Sequence, residues 1–365
     1  MKSFAATLCS SLSLAMVSFL GYVIGQPLMS GFPRGNDTPY HLTWVFYLDR
    51  YFPTIPQWFY AQGSGFPFLS NYPPLSTYVL LFVHRISGLT ILNAASLVGV
   101  AAVVAIAVGV YLFVRIRFGD EFMAVMSALL VVLTPAIWST LGLIGSYAFI
   151  FSVPFSVFAI VFLELKHRTG HRKYLLLATM SYTFSIISHL YGGLILGTLM
   201  LSCYLLVKGL SREMTLRDVA LSSFGTLFVG FSLAAFWYIP FSSASPQKSF
   251  GGYVSTTEFW SVSHVLGFSD VIGFPHLSAA VNIFVLIGAI LSVRKRGLQM
   301  WLLGVAGFFV VLSLAPSIAS TLGLRLGFPF EFLYGAWPFI LPAAVLLLVV
   351  AGFGLTEIRR IIVAA

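Results

Sequence analysis

The sequence predicts an all-α fold, a polytopic transmembrane helical bundle, on three observations. A mean hydropathy of +0.96 over 365 residues leaves too little polar surface to cover a water-exposed core. Apolar windows long enough to cross a hydrocarbon core, about 17 to 25 residues, recur along the whole chain. The cations gather in short clusters between those windows, as the cytoplasmic loops of membrane proteins require. The reading is a single transmembrane domain over 1–365 with roughly ten or eleven spans, a first outer loop over 28–72, and no soluble domain. The net charge of +9 would suggest nucleic acid in a soluble chain; here it is a topology signal, and no nucleic-acid partner is expected.

The first window, 5–27, follows a short basic start and resembles a secretory signal. It is long and ends in VIGQ without a small-x-small cleavage site, which favours an uncleaved span. Further windows lie at 91–114, 121–137, 147–165, 217–240, 276–293, 298–316 and 331–354, with less regular stretches at 73–88 and 174–207. As one helix the last would be about 51 Å long against a core of about 30 Å. A hairpin fits better, turning between Ser188 and Gly193 with the glycine pair at the bend and His189 on the outer side.

Arg115 and Arg117, the stretches 166–173 and 208–217, Arg294 to Arg296, and Arg359 with Arg360 flank apolar segments and mark the cytoplasmic side. If 73–88 and 91–114 both crossed, the RIRFG at 115–119 would land outside, so the charge bias favours a partial or re-entrant helix from Pro73. Cys9 and Cys203 fall in apolar segments; two distant thiols offer no metal spacing, and no structural disulfide is expected.

The strip from Gly31 to Tyr78 differs from the rest of the chain, combining aspartates, a histidine, arginines, prolines and many aromatics. Six acids, Asp120, Glu121, Glu164, Glu213, Asp218 and Glu357, lie in or beside the basic clusters and read as solvated loop residues. That leaves Asp37, Asp49, Glu258, Asp270 and Glu331 outside, with Arg34, Arg50, Lys248 and Arg325 as the outer cations. Thr38 as N-cap, Pro39 at the first helical position and Pro53 as a stop predict a helix in which Tyr40, Trp44, Tyr47 and Tyr51 share a face. That stripe is either an interfacial aromatic belt or a sugar-stacking surface.

Asp37 at the helix start is either a cap or a general base that takes a proton from an incoming hydroxyl. His41, one turn on, is an interface histidine or a substrate contact; Asp49 beside Arg50 reads as a local ion pair. Arg34 and Arg325 are candidates for a phosphate clamp, and Lys248 for a point charge, with lipid headgroups as the alternative partner. Asn36-Asp37-Thr38 also matches a glycosylation sequon, and modification there would obstruct such a site.

An outer-loop aspartate after the first span, then PQWFYAQGSGFPF and the NYPPLSTY helix entry, resembles the GT-C superfamily of glycosyltransferases that use lipid-phosphate sugars. HLYGG at 189–193, AAFWYIPF at 234–241 and GFPFEFLYGAWPF at 327–339 extend the resemblance over nearly the whole chain. In appearance it is similar to the bacterial and archaeal membrane family described as 6-pyruvoyl-tetrahydropterin synthase-related, a description from which no pterin chemistry follows. The resemblance implies a GT-C-like bundle with interfacial helices in the first outer loop. It also implies a catalytic aspartate, carried here by Asp37, and a lipid-linked phosphate bound by cations of later outer loops. Where related sequences often place an arginine after the FPW-like motif this chain has Glu331, so Arg325 takes that part. The loop from Ala136 to Ser146, which carries an acidic pair for metal in related oligosaccharyltransferases, has no acid; no metal or other cofactor is expected. The chain stops at Ala365, just past a span, where larger relatives carry a soluble domain, which leaves a short form and a fragment both open.

The functional expectation is a multi-pass cell-membrane enzyme that transfers a sugar from a polyprenyl-phosphate donor to an acceptor hydroxyl at the outer face. Asp37 is the base, and Tyr40, His41, Trp44, His189, Arg34, Lys248 and Arg325 contact substrate. The expected partners are that donor, membrane lipid, and a glycan, lipid or protein acceptor. A transporter or flippase for a lipid-linked or small solute is the alternative from another class.

Overall fold

The computed structural model describes residues 2–29, 35, 37–60, 66–68, 73–243, 279–295, 298–321 and 340–364. Helix is the dominant element: α1 (Lys2–Met29), α2 (Thr38–Tyr51), α3 (Leu75–Ser87), α4 (Ile91–Phe118), α5 (Glu121–Leu133), α6 (Pro135–Ser139), α7 (Tyr147–Thr169), α8 (Arg172–Ser188), α9 (Thr198–Leu210), α10 (Leu216–Ser223), α11 (Val229–Ser243), α12 (Ala279–Lys295), α13 (Leu298–Thr321) and α14 (Ile340–Ala364). One antiparallel ribbon, β1 (Trp58–Phe59) with β2 (Phe66–Pro67), pairs Trp58 with Pro67 and Phe59 with Phe66. Among the described residues six helices are long and apolar enough to cross a membrane, or seven if the bent α5–α6 pair is one span. The roughly ten or eleven spans read from the apolar windows are approached only when the shorter apolar helices Leu75–Ser87, Asn282–Arg294 and Gln299–Ala315 are counted as well.

α3 is one window that falls short of a span. It has 13 residues, which at about 1.5 Å each reach about 20 Å, short of a core of about 30 Å. Its C-terminal Arg85 bonds to Asp49 near the end of α2, so α3 ends on the side where α2 lies. A partial helix over Leu75–Ser87 is the solution that the charge bias favours for the RIRFG cluster after α4. The same bond corrects the expected Asp49–Arg50 pair: Asp49 reaches Arg85 of another helix instead.

The chain divides into two compact units, one holding Met1–Val23, Val104–Ser139 and Ser249–Ala365, the other Ile24–Val103 and Thr140–Lys248. In the first, α14 packs against α5, α12 and α13, and Glu121 gathers Arg115 at 2.8 Å, Tyr111 at 2.6 Å and Ser10 at 3.1 Å. In the second, α7, α8, α9 and α11 share a core of Ala159, Leu163, Tyr182, Ile186, Leu201 and Ala234. Small polar groups cross between its helices, with Ser185 Oγ 2.8 Å from Ser156 Oγ and donating to the Ser152 carbonyl at 2.8 Å.

Charge is buried at the basic end of this second unit. Glu164 Oε2 accepts from Lys208 Nζ at 2.6 Å and from the Tyr204 hydroxyl at 2.8 Å, while Oε1 takes Arg168 Nε at 3.0 Å. Lys208 also reaches Glu213 at 2.8 Å. The Glu164 and Lys208 side chains are 0% and 1% exposed, so the reading of Glu164 as a solvated loop residue is corrected. Its charge is held by partners from neighbouring turns of α7 and α9 rather than by water.

Candidate functional site

α2 begins one residue earlier than the Thr38 cap reading places it: Asp37 occupies the cap position and Thr38 is the first helical residue, with Pro39 in the first turn. The Asp37 carbonyl accepts the His41 amide at 3.1 Å, and its own amide donates to the Ile144 carbonyl at 3.0 Å. Its side chain makes no capping hydrogen bond, and among the described residues the carboxylate has no hydrogen-bond or ion-pair partner. The carboxyl reaches solvent, yet the protein around it withholds enough water to raise its pKa above the usual carboxylate value.

The second strand of this latch is the π-helical turn Thr140–Ile144 and the two residues after it. Gly145 sits at φ +77, and a Cβ there would collide with the Thr38 hydroxyl and lie 2.8 Å from the Thr38 amide. Gly35, at φ +103, faces Gly145 so closely that a Cβ would meet the Gly145 backbone. Two glycines with left-handed backbones therefore let two loops close on each other and fix the Asp37 backbone. The sequence showed both loops on one side but held no local signal that they touch, because the contact is made by backbone atoms.

Along α2 the aromatic stripe forms as expected, with Tyr40 4.9 Å from Trp44 and Tyr47 4.9 Å from Tyr51. The ribbon covers its middle: Phe59 lies 6.4 Å from Trp44 and 5.0 Å from Tyr47, and the Tyr47 hydroxyl donates to the Trp58 carbonyl at 2.8 Å. Trp44 is buried, while Tyr40 remains 37% exposed. The segment between α1 and α3 thus contributes one helix and a ribbon among the described residues.

His189 sits where the 174–207 stretch was expected to turn, between α8 and the π-helical segment Leu190–Gly197 that leads into α9. Gly193 approaches the Ser185 carbonyl so closely that no Cβ would fit, which is why the glycine pair marks the bend. His189 Nδ1 accepts the Gly192 amide at 3.0 Å, so in the neutral ring the proton is on Nε2. Its ring stands edge-on to Phe149 at 5.3 Å. Burial lowers the His41 pKa to about 4; burial, and secondarily the nearby His41, lowers that of His189 to about 3. The fold therefore brings His41 and His189 together as a neutral pair beside the start of α2. Arg34, Lys248 and Arg325 lie outside the described residues. Among the described residues no group of three or more His, Cys, Asp or Glu side chains is placed to hold a metal ion.

The same architecture occurs in solved membrane proteins. The oligosaccharyltransferase AglB of Archaeoglobus fulgidus, in complex with an inhibitory peptide and a dolichol-phosphate, aligns over 96% of this chain and 50% of its own, with a TM-score of 0.62 and 14% identity. ArnT of Cupriavidus metallidurans bound to undecaprenyl phosphate aligns over 95% of this chain and 60% of its own, with a TM-score of 0.57 and 15% identity. At such identities the likeness establishes the fold, which is the GT-C-like bundle expected from the residues. The chain spans about half the length of the archaeal enzyme. No curated protein matches the sequence at significance. The family model for the 6-pyruvoyl-tetrahydropterin synthase related domain, a membrane protein, matches residues 69–365, beginning inside the strip and after Asp37. A match over that much of its length makes this multi-pass chain a member of the 6-pyruvoyl-tetrahydropterin synthase-related membrane protein family.

Proposed function

We propose that the chain is a membrane glycosyltransferase that moves a sugar from a polyprenyl-phosphate donor to an acceptor hydroxyl, with Asp37 as general base. One observation carries the reading: the Asp37 carboxylate is fixed through its backbone yet spends none of its acceptor capacity on the protein described here. A raised pKa makes it a stronger base once ionised, and the start of α2 directs helix amides toward it. Support comes from the fold, which is shared with proteins bound to dolichol-phosphate and undecaprenyl phosphate.

In this mechanism the acceptor hydroxyl gives its proton to Asp37 as its oxygen attacks the anomeric carbon, and the bond to the lipid phosphate breaks. The leaving phosphate needs no general acid, only positive charge, which we assign to Arg34, Lys248 and Arg325. The neutral His41 and His189 contact the uncharged sugar, and Tyr40, backed by the buried Trp44, stacks against it. The clustering of basic segments between the spans supports assigning this chemistry to the outer face.

The test is transfer of sugar from a polyprenyl-phosphate sugar to added acceptors by the purified chain. Transfer by the parent and its loss in Asp37→Asn support the proposal. Donor movement across a vesicle membrane without transfer would replace it with the flippase reading.

A further inference from the structure

The C-terminal ends of α2 and α3 meet in a charged corner that the Asp37 site does not use. Arg85 Nε donates to Asp49 Oδ1 at 2.8 Å, and its Nη2 donates to the Asp49 carbonyl at 2.8 Å. His84 Nε2 lies 3.7 Å from Asp49 Oδ2, and the Arg85 guanidinium rests 4.6 Å over the Phe52 ring. Asp49 is thus shared, while Arg50, the next residue and exposed, makes no ion pair among the described residues. Two guanidiniums against one carboxylate leave an excess of positive charge.

The surroundings of this corner are apolar. Ile86 and Phe82 on the last turns of α3 are 70% and 63% exposed, and Ile55 beyond α2 is 54% exposed. A soluble anion bound to the arginines would leave those side chains in water. A lipid would cover them with its acyl chains while presenting a phosphate to the cations. Because α3 is too short to cross, its last turn and these cations end near the headgroup level.

We infer that Arg50 and Arg85, framed by Ile55, Phe82 and Ile86, form a headgroup site for an anionic phospholipid of the surrounding bilayer, separate from the Asp37 site. Arg85, already oriented by Asp49 and stacked on Phe52, supplies a fixed guanidinium face; Arg50 supplies the adaptable second charge.

The experiment is native mass spectrometry of the full chain in detergent, titrated with phosphatidylglycerol or phosphatidylcholine. The parent should bind phosphatidylglycerol more tightly. Arg50→Gln, which breaks no ion pair among the described residues, should weaken the first phosphatidylglycerol bound by about fivefold and leave phosphatidylcholine unchanged. Arg172→Gln, an exposed arginine at the start of α8, should alter neither. Equal binding of the two lipids, no change in Arg50→Gln, or an equal loss in Arg172→Gln would overturn the assignment. So would displacement of the lipid by glycerol phosphate at matched concentration, since the site would then recognise a free anion.

Discussion

Two carboxylates of the same compact unit are treated in opposite ways. Glu164 is removed from water, yet Lys208, Arg168 and Tyr204 satisfy it completely. Asp37 reaches water and has no partner among the described residues, although its backbone is gripped by Ile144. A buried, fully paired acid holds helices in register and has nothing left to offer a substrate. An acid whose position is fixed but whose oxygens are unspent is what proton abstraction needs. Burial alone would have ranked these two residues the wrong way round.

The sharpest way to break this contrast is to exchange charge for shape at each place. Asp37→Asn should lower sugar transfer by roughly 10² to 10⁴, while thermal unfolding in detergent stays near the parent, because the side chain makes no capping bond to lose. Wild-type transfer by a folded Asp37→Asn protein would reduce Asp37 to a loop residue.

Next in size is the opposite end. Lys208→Met strands the Glu164 charge and should cost about 3 to 5 kcal/mol of stability. Pairing it with Glu164→Leu should recover much of that loss. Denaturant or thermal unfolding measures both, and transfer per folded molecule should remain close to the parent. A mild single substitution would show that water reaches Glu164.

Gly145→Ala tests whether the Asp37 backbone is held by the loop. Its Cβ falls against Thr38 at a backbone angle of φ +77, and strain of about 1 to 3 kcal/mol is expected. If the latch positions the base, kcat should fall more than KM rises. An unaltered kcat with reduced stability would leave the latch a purely structural contact.

The most gradual effect is the pH response of the histidine pair. Their folded pKa values, about 4 for His41 and about 3 for His189, lie below the ordinary 6.5. The unfolded chain therefore takes up protons first as pH falls below about 6.5. Stability is fully present above that value and declines toward the folded pKa values, by roughly 1 kcal/mol per pH unit for each histidine. Unfolding midpoints measured between pH 7 and pH 5 should drop, and His41→Gln should flatten the decline. An unchanged slope in that variant would mean that His41 is hydrated.

Much of this was legible in the residues. Thr38-Pro39 and Pro53 bracketed α2 to within a residue, the aromatic spacing placed Tyr40 over Trp44, and the glycine pair located the break at His189. Such signals act within a few residues of one another. What escaped them is long-range. Asp49 chose Arg85, 36 residues away, over its neighbour Arg50. Glu164 looked solvated in a basic cluster because its ligands, Lys208 and Tyr204, arrive from another helix. The grip of Ile144 on Asp37 passes through a carbonyl, which every residue possesses and no pattern reveals.

That carbonyl has a consequence for how the protein can vary. Because the Asp37 amide is held by a main-chain carbonyl, no side-chain hydrogen bond from 140–144 is needed to position it, while the glycines at 35 and 145 are sterically committed. Ile144, whose side chain is half-buried, can therefore change while the aspartate stays where it is. Thr140 and Leu141 are buried, and varying them would cost stability instead.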